Sequence, residues 1–344
     1  MLKLEKYIHN ELFRFESGEE LGGLQLAYHR SDRAYRPGEK VVWICHGLTA
    51  NSDAEDWWPG MVGPGLLFDP EKCFIVCVNI LGSCYGSSGP SSVDPELGEP
   101  YMLSFPMVTV RDMVAANILV RKHLGIEKID LLVGPSIGGF QAIEWSVMEP
   151  ERIGRAVFLA TGMRVTPYMT AYNESQRLAL IADPTFLEES SLDGGQKGLA
   201  CARSIALISY RTYDGYNLTQ KEQDVDTMFA DRAGSYQRYQ GEKLVRRFDA
   251  YSYWILTKAL DSHNIGRGRG GVEAALARIT CPCMVICVDS DCLFPPKDCK
   301  HIAEGIVNCE YKEISSAFGH DGFLIESAQL SEILKEICNF VPVI

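Results

Sequence analysis

Residues 131–145 read LLVGPSIGGFQAIEW, and the fold follows from how this stretch is parsed. Ile129 to Val133 form a short apolar run bounded by turn residues, the pattern of a buried strand. From Ile137 to Met148 apolar residues recur at helical spacing and stop at Pro150. Ser136 therefore stands on a sharp strand-to-helix turn. Such a turn strains the serine backbone and leaves no room for side chains two residues away, which calls for glycine at 134 and 138. Pro135 fixes its own φ and pushes Gly134 toward an extended conformation. A Gly-x-Ser-x-Gly pattern between a strand and a helix is a nucleophile elbow, with the serine hydroxyl raised above the sheet. The competing reading is a tight turn with an incidental serine; the strand before it and the helix after it favour the elbow.

The chain around this turn has 344 residues, 46% of them hydrophobic, enough for one large α/β core with an insertion. A net charge of −12 without a basic patch excludes nucleic acid as a partner. The twelve cysteines are scattered, and Cys45, Cys73, Cys77, Cys283 and Cys287 fall in apolar runs, so they read as free thiols of a reducing compartment. Cys281 and Cys283 are too close together and too isolated to suggest a zinc site, and no metal is expected. The start, MLKLEKYIHNELFRF, lacks a signal-peptide apolar region, and no apolar run is long enough to span a bilayer. A cytoplasmic protein without membrane attachment is expected.

Alternating apolar and polar residues in ELFRFESGEELGGLQLAYHR (11–30) predict a hairpin about a Ser-Gly turn. Buried strands are expected at 40–47, 73–80, 155–161 and 282–289, with a last one at 309–314. Helices are expected at Val108 to His123 and Ser327 to Phe340. Strands alternating with helices imply a mainly parallel sheet covered on both faces. Between Thr161 and Cys281 the pattern is helical only, and far longer than a crossover needs. Residues 1–161 and 281–344 are therefore expected to form the core, and 162–280 a helical lid near the carboxyl ends of the strands, where ligands bind in open α/β sheets.

A serine nucleophile needs a base, and the base needs an orienting acid, here in the order serine, acid, histidine. Of the seven histidines, three follow Ser136: His263, His301 and His320. His320 lies in AFGHDGFL, a glycine-flanked loop after the last strand, where the base belongs. His301 sits at helical spacing and His263 within the lid. Two aspartates end the CMVICV strand, Asp289 and Asp291. Asp291 stands just before the turn from which a carboxylate reaches across the sheet edge and is favoured as the acid; Asp289 then serves turn hydrogen bonds. The amides of Ile137 and Leu48 are the candidate oxyanion donors. His46 precedes the serine at a strand end and reads as structural.

These pieces together resemble homoserine O-acetyltransferase, an acyl-CoA-dependent branch of the α/β-hydrolase fold. The matching stretches are CHGLTANSD, VNILGSCYGSSGP, FPMVTVRDMV, GPSIGGFQAIEW, GLACARSIALISYR, DSHNIGRGRGG, DSDCLFP and GHDGFL, which span most of the chain. The resemblance implies an α/β-hydrolase fold and a Ser136–His320–Asp291 triad. It implies ping-pong transfer of acetyl from acetyl-CoA to L-homoserine for methionine synthesis, with no permanently bound cofactor, and a homodimer formed through the lid. It also implies that Arg203 and Tyr210 point at the amino-acid substrate and that Asp321 attends its amine. Arg203 and Tyr210 are two helical turns apart on one side of a helix whose packed face holds Leu199, Ile205, Leu207 and Ile208. Arg267 or Arg269, in GRGRGG, would meet CoA phosphates or else pack the lid onto the sheet.

The chain departs from the family pattern in three places. The elbow has Pro135 and Ile137 where glycine and methionine are usual. The first loop has Gly47 where alanine is usual, and the stretch GMRVTPYMTAYNESQR (162–177) differs as well. All three border the acyl pocket, so succinyl-CoA, a serine-like acceptor and plain ester hydrolysis stay open beside the leading reading.

Overall fold

The structure, a computed structural model, describes residues 1–338. The chain opens with β1 (Leu2–His9), a small ribbon of β2 (Phe13–Arg14) and β3 (Glu20–Leu21), and β4 (Leu24–Ser31). Then come β5 (Val41–Ile44), α1 (Ala54–Trp57), β6 (Phe74–Val78), α2 (Val110–His123), β7 (Leu131–Pro135), α3 (Ile137–Met148) and β8 (Ala156–Leu159). The next stretch is helical: α4 (Pro167–Ile181), α5 (Pro184–Leu187), α6 (Gln196–Tyr210), α7 (Tyr213–Gln220), α8 (Arg232–Val245), α9 (Ala250–Asp261) and α10 (Val272–Leu276). The chain returns to the sheet with β9 (Cys283–Val288), α11 (Pro296–Gly305) and β10 (Cys309–Ile314), followed by α12 (Gly322–Ile325) and α13 (Ser327–Ile337).

Eight strands form one sheet in the order β1-β4-β6-β5-β7-β8-β9-β10. From β6 to β10 neighbouring strands run parallel; β4 joins β6 antiparallel and β1 joins β4 antiparallel. The central strands are buried on both faces because successive side chains alternate between two cores. Trp43, Phe74, Val76, Leu132, Phe158 and Val285 enter one core together with Phe140 and Trp145 of α3. Their neighbours Ile44, Ile75, Cys77, Val133, Val157 and Ile286 enter the other, against Trp58 and Leu334. The fold is an α/β-hydrolase fold, with helices on both faces of a mostly parallel sheet.

Local chemistry sets the element boundaries. α2 begins at Val110, not Val108, because Thr109 is its cap: the Thr109 side chain accepts from the Asp112 amide and the Asp112 carboxylate accepts from the Thr109 amide at 2.8 Å. β7 is displaced two residues toward the serine, and Ile129 makes only an isolated bridge with Ile153. The predicted hairpin splits in two. Phe13 pairs with Leu21 across the Ser-Gly turn, while Leu24–Ser31 pairs with Leu2–His9, a strand the sequence did not suggest. β1 is an edge strand with half its side chains in water, so its apolar signal is faint. For the terminal helix, α13 ends at Ile337 and positions 339–340 of the expected range lie outside the described residues. Within the helical stretch α4 packs on α6 and α9, and α6 on α8. Among the described residues no helix is long and apolar enough to cross a membrane.

Candidate active site

The crowded glycines at the elbow are explained by distances. A Cβ on Gly134 would lie 2.1 Å from the Gly138 carbonyl oxygen. One on Gly138 would lie 2.0 Å from the Cys45 oxygen, and one on Gly139 2.4 Å from the Thr161 side chain. The turn thus brings α3 against the ends of β5 and β8 at backbone contact. Ser136 itself adopts φ 58° and ψ −125°, a conformation an L-residue holds only where surrounding bonds enforce it. They do so here: the Ser136 amide donates to the Leu159 carbonyl at 3.0 Å, and Thr161 Oγ donates to the Ser136 carbonyl at 2.8 Å. Thr161 escaped the sequence reading, where it appeared only as the end of a strand.

Three further strand ends deliver the rest. β9 leads into Asp291, and the loop after β10 into His320. His320 Nδ1 donates to Asp291 Oδ2 at 2.7 Å, and Ser136 Oγ donates to His320 Nε2 at 2.9 Å. The carboxylate can only accept, so the Nδ1 proton is fixed and Nε2 presents its lone pair to the serine. Asp291 Oδ1 takes the amides of Leu293 and Phe294, at 2.8 and 3.2 Å, which locks the carboxylate. Burial opposes charge on His320, but the charge and hydrogen bond of Asp291, helped by the charge of Asp321, outweigh it and raise the imidazole pKa above the ordinary value. Asp289, the other aspartate weighed, is exposed and accepts from the Ser316 amide at 3.1 Å, a loop-closing bond away from the histidine.

The loop after β5 brings Leu48 to the same small cavity as Ser136, about 30 Å³, bordered by Met169, Tyr210 and Phe294. Neither the Leu48 nor the Ile137 amide is taken by an acceptor among the described residues. Arg247, between α8 and α9, donates to the Thr49 carbonyl and to the Tyr85 hydroxyl, tying the helical stretch to this loop.

α6 carries Arg203 and Tyr210. The Arg203 guanidinium lies over the Tyr210 ring, 5.5 Å from its centroid, and the Tyr210 ring lies 5.8 Å from that of His320. Arg203 is half-buried and pairs with no carboxylate among the described residues. On the packed face Leu199 and Leu207 are buried and Ile205 is half-buried, whereas Ile208, expected there, is 54% exposed. Asp321 is held by Arg211, Nε to Oδ2 at 2.6 Å. Arg211 was missed because it stands beyond the end of α6, where helical periodicity says nothing.

Other candidates have settled partners. His46 Nδ1 donates to the Gly47 carbonyl, its Nε2 accepts from the Ile80 amide, and burial pushes its pKa down to about 4. His263 stacks on Phe140 and donates to the Gly162 carbonyl at 2.9 Å. His301 is a helix residue facing Glu273 at 3.4 Å. Arg267 grips both oxygens of Glu16 at 2.7 and 3.0 Å, and Arg269 those of Glu144 at 3.0 and 2.5 Å, so GRGRGG packs its loop onto the core rather than leaving cations for phosphate. Burial pushes the Cys84 thiol up to about 12. All twelve cysteines are free thiols, and among the described residues no His, Cys, Asp and Glu cluster suits a metal.

Comparison with known proteins gives a consistent picture. A family model described as the alpha/beta hydrolase fold matches residues 40–327. The chain is 42% identical over 333 residues to homoserine O-acetyltransferase of Cyclobacterium marinum, covering 96% of this chain and 94% of that one. Homoserine O-acetyltransferase from Bacillus anthracis superposes with a TM-score of 0.90 at 23% identity, over 98% of each chain. Esterase E22 superposes with 0.89 at 20% identity, over 98% of this chain and 100% of that one. These two structures share the fold, and the fold alone does not separate transfer from hydrolysis.

Proposed function

The chain belongs to the homoserine O-acetyltransferase family of the α/β-hydrolase fold, and we propose that it moves an acetyl group from acetyl-CoA to the hydroxyl of L-homoserine in two half-reactions, for methionine synthesis. The observation that carries this reading is the unbroken relay from Ser136 through His320 to buried Asp291, beneath a helix that brings an arginine without a carboxylate partner over Tyr210.

In the first half-reaction His320 Nε2 takes the Ser136 proton as Oγ attacks the thioester carbonyl carbon. The amides of Leu48 and Ile137 hold the oxyanion, and Asp291 steadies the imidazolium. The C–S bond breaks, and the proton on His320 passes to the leaving CoA sulfur. In the second, Nε2 takes the proton of the homoserine hydroxyl, whose oxygen attacks the acyl carbon. The bond to Ser136 Oγ breaks, and the serine recovers its proton from His320. Arg203 meets the acceptor carboxylate and Asp321 its ammonium, with Tyr210 between them. CoA is a co-substrate; no resident cofactor takes part.

The exposed apolar side chains of Tyr213, Leu218, Met228 and Phe229, on α7 and the segment before α8, support a homodimer formed through the lid. The free thiols support a cytoplasmic setting. The test is a panel of acetyl-CoA and succinyl-CoA against L-homoserine, L-serine and water. Acetyl transfer to homoserine far above the other combinations supports the reading; hydrolysis as the main outcome would make the protein an esterase.

A further inference from the structure

The turn after α6 is fastened to the loop of the base by several contacts. Thr212 Oγ donates to the Ala317 carbonyl, and the Arg211–Asp321 pair closes 2.6 Å apart. Gly319, at φ 63°, has no space for a side chain, since a Cβ there would come within 2.9 Å of the Tyr210 carbonyl oxygen. The Arg211–Asp321 bond runs from one nitrogen to one oxygen. Asp321 Oδ2 is occupied, and Oδ1 has no hydrogen-bond donor among the described residues. Arg211 is itself steadied by the Tyr236 ring, 5.9 Å from its guanidinium carbon. Both charged groups are largely shielded, with side chains 21% and 17% exposed, so the bond is not one that water readily replaces.

We propose that Arg211 is a positioning residue for acceptor selection: it holds Asp321 by Oδ2 and leaves Oδ1 to receive the ammonium of an amino-acid alcohol. The inference rests on the acyl-transfer reading above and assigns the ammonium specificity of that site to an ion pair. A carboxylate beside a buried base costs free energy unless a cation holds it, and an arginine bound to both oxygens would leave neither oxygen wholly free for the acceptor. The one-point pair meets both requirements. The Arg203 guanidinium lies over the Tyr210 ring and the Asp321 charge also acts on that phenol, so the site holds both a cation and an anion, as a zwitterionic acceptor requires.

The test compares wild type with Arg211→Gln, Arg211→Lys and Thr212→Val. CoA release on mixing with acetyl-CoA reads the first half-reaction. Steady-state transfer to L-homoserine and to 4-hydroxybutyrate, which keeps the carboxylate and lacks the amine, reads the second. Read at a pH above the His320 limb, where the base is neutral in every variant, Arg211→Gln should leave CoA release within about threefold of wild type and lower kcat/KM for homoserine roughly 10–100-fold, the range of a lost hydrogen bond to a charged group. Transfer to 4-hydroxybutyrate should hold within about threefold, and Arg211→Lys should recover most of the loss. Thr212→Val, which cuts the neighbouring tie, should lower Tm without changing the ratio of the two acceptors. Equal losses on both acceptors, or a selectivity change in Thr212→Val matching that of Arg211→Gln, would overturn the assignment. Failure of the wild type to acylate homoserine at all would overturn the assignment and the acyl-transfer reading together.

Discussion

Asp291 and His320 meet at 2.7 Å with both side chains out of water, and the second oxygen of Asp291 is held by two backbone amides. Because those amides fix the carboxylate, it orients the imidazole rather than sharing its proton. Asp291→Asn should lower acyl-enzyme formation by about four orders of magnitude with little change in fold, as the loss of an orienting acid does. Asp289→Asn should cost stability more than rate, since Asp289 only closes a loop onto the Ser316 amide. Stopped-flow CoA release and thermal melts on both variants check this; the reverse ranking would move the acid to Asp289.

The base works only when neutral, so acylation should rise with pH through the His320 pKa. That pKa lies above the ordinary histidine value of 6.5, because Asp291 and Asp321 outweigh burial. The rising limb of the acylation rate should therefore sit above that of free histidine. Asp321→Asn removes one of the two charges that raise it, and the limb should move to lower pH. A limb that stays put, or moves up, would detach Asp321 from the base.

Stability should fall on the acid side for a different reason. Burial, with Arg111 and Arg267 adding to it, pushes the His263 pKa down to about 3, and burial pushes that of His46 to about 4. A depressed folded pKa gives stability above the unfolded value near 6.5 that is lost as pH falls toward the folded value. His320 has the opposite sign: its contribution is full below 6.5 and fades as pH rises through its raised folded pKa. His263→Phe keeps a ring against Phe140 and removes one titrating site. Its unfolding free energy should depend on pH less steeply between pH 6 and 5, by about 1.4 kcal/mol per unit. Denaturant titrations at the two pH values measure the slope, and an unchanged slope would show that His263 is not buried neutral.

Under the proposed mechanism Arg203 acts in only one of the two half-reactions. Arg203→Ala should leave acylation of Ser136 nearly intact and lower kcat/KM for homoserine by roughly 2–4 kcal/mol of transition-state binding. Preference for homoserine over alcohols without a carboxylate should shrink with it. Equal loss in both halves, together with a lower Tm, would assign the arginine to structure instead.

Much of this arrangement was legible in the sequence because the chemistry is local. Ser136 announced itself through glycines that the backbone approaches demand, and Asp291 through its place between a strand end and the turn at Leu293. What stayed hidden depends on pairings between distant segments. Thr161 supports the Ser136 carbonyl across 25 residues, Arg211 finds Asp321 across 110, and Arg247 reaches Thr49 across 198, and none has a periodic signature. β1 was missed for another reason: an edge strand that wets half its side chains carries too little apolar contrast to stand out. The GRGRGG arginines looked available only because Glu16 and Glu144, which bind them, lie far away in the sequence.

The central claim is a covalent acyl group on Ser136, and intact-protein mass after mixing with acetyl-CoA in the absence of acceptor tests it most directly. Wild type should gain one acetyl group, mapped to Ser136, which disappears when homoserine is added. Ser136→Ala should gain none, because Ser136 Oγ is the nucleophile hydrogen-bonded to His320 Nε2; the Cys84 thiol, the first alternative to check, is pushed up to about 12 by burial and is not ionised at neutral pH. An acetyl adduct that persists on Ser136→Ala, at Cys84 or any other residue, and still passes to homoserine would contradict the account.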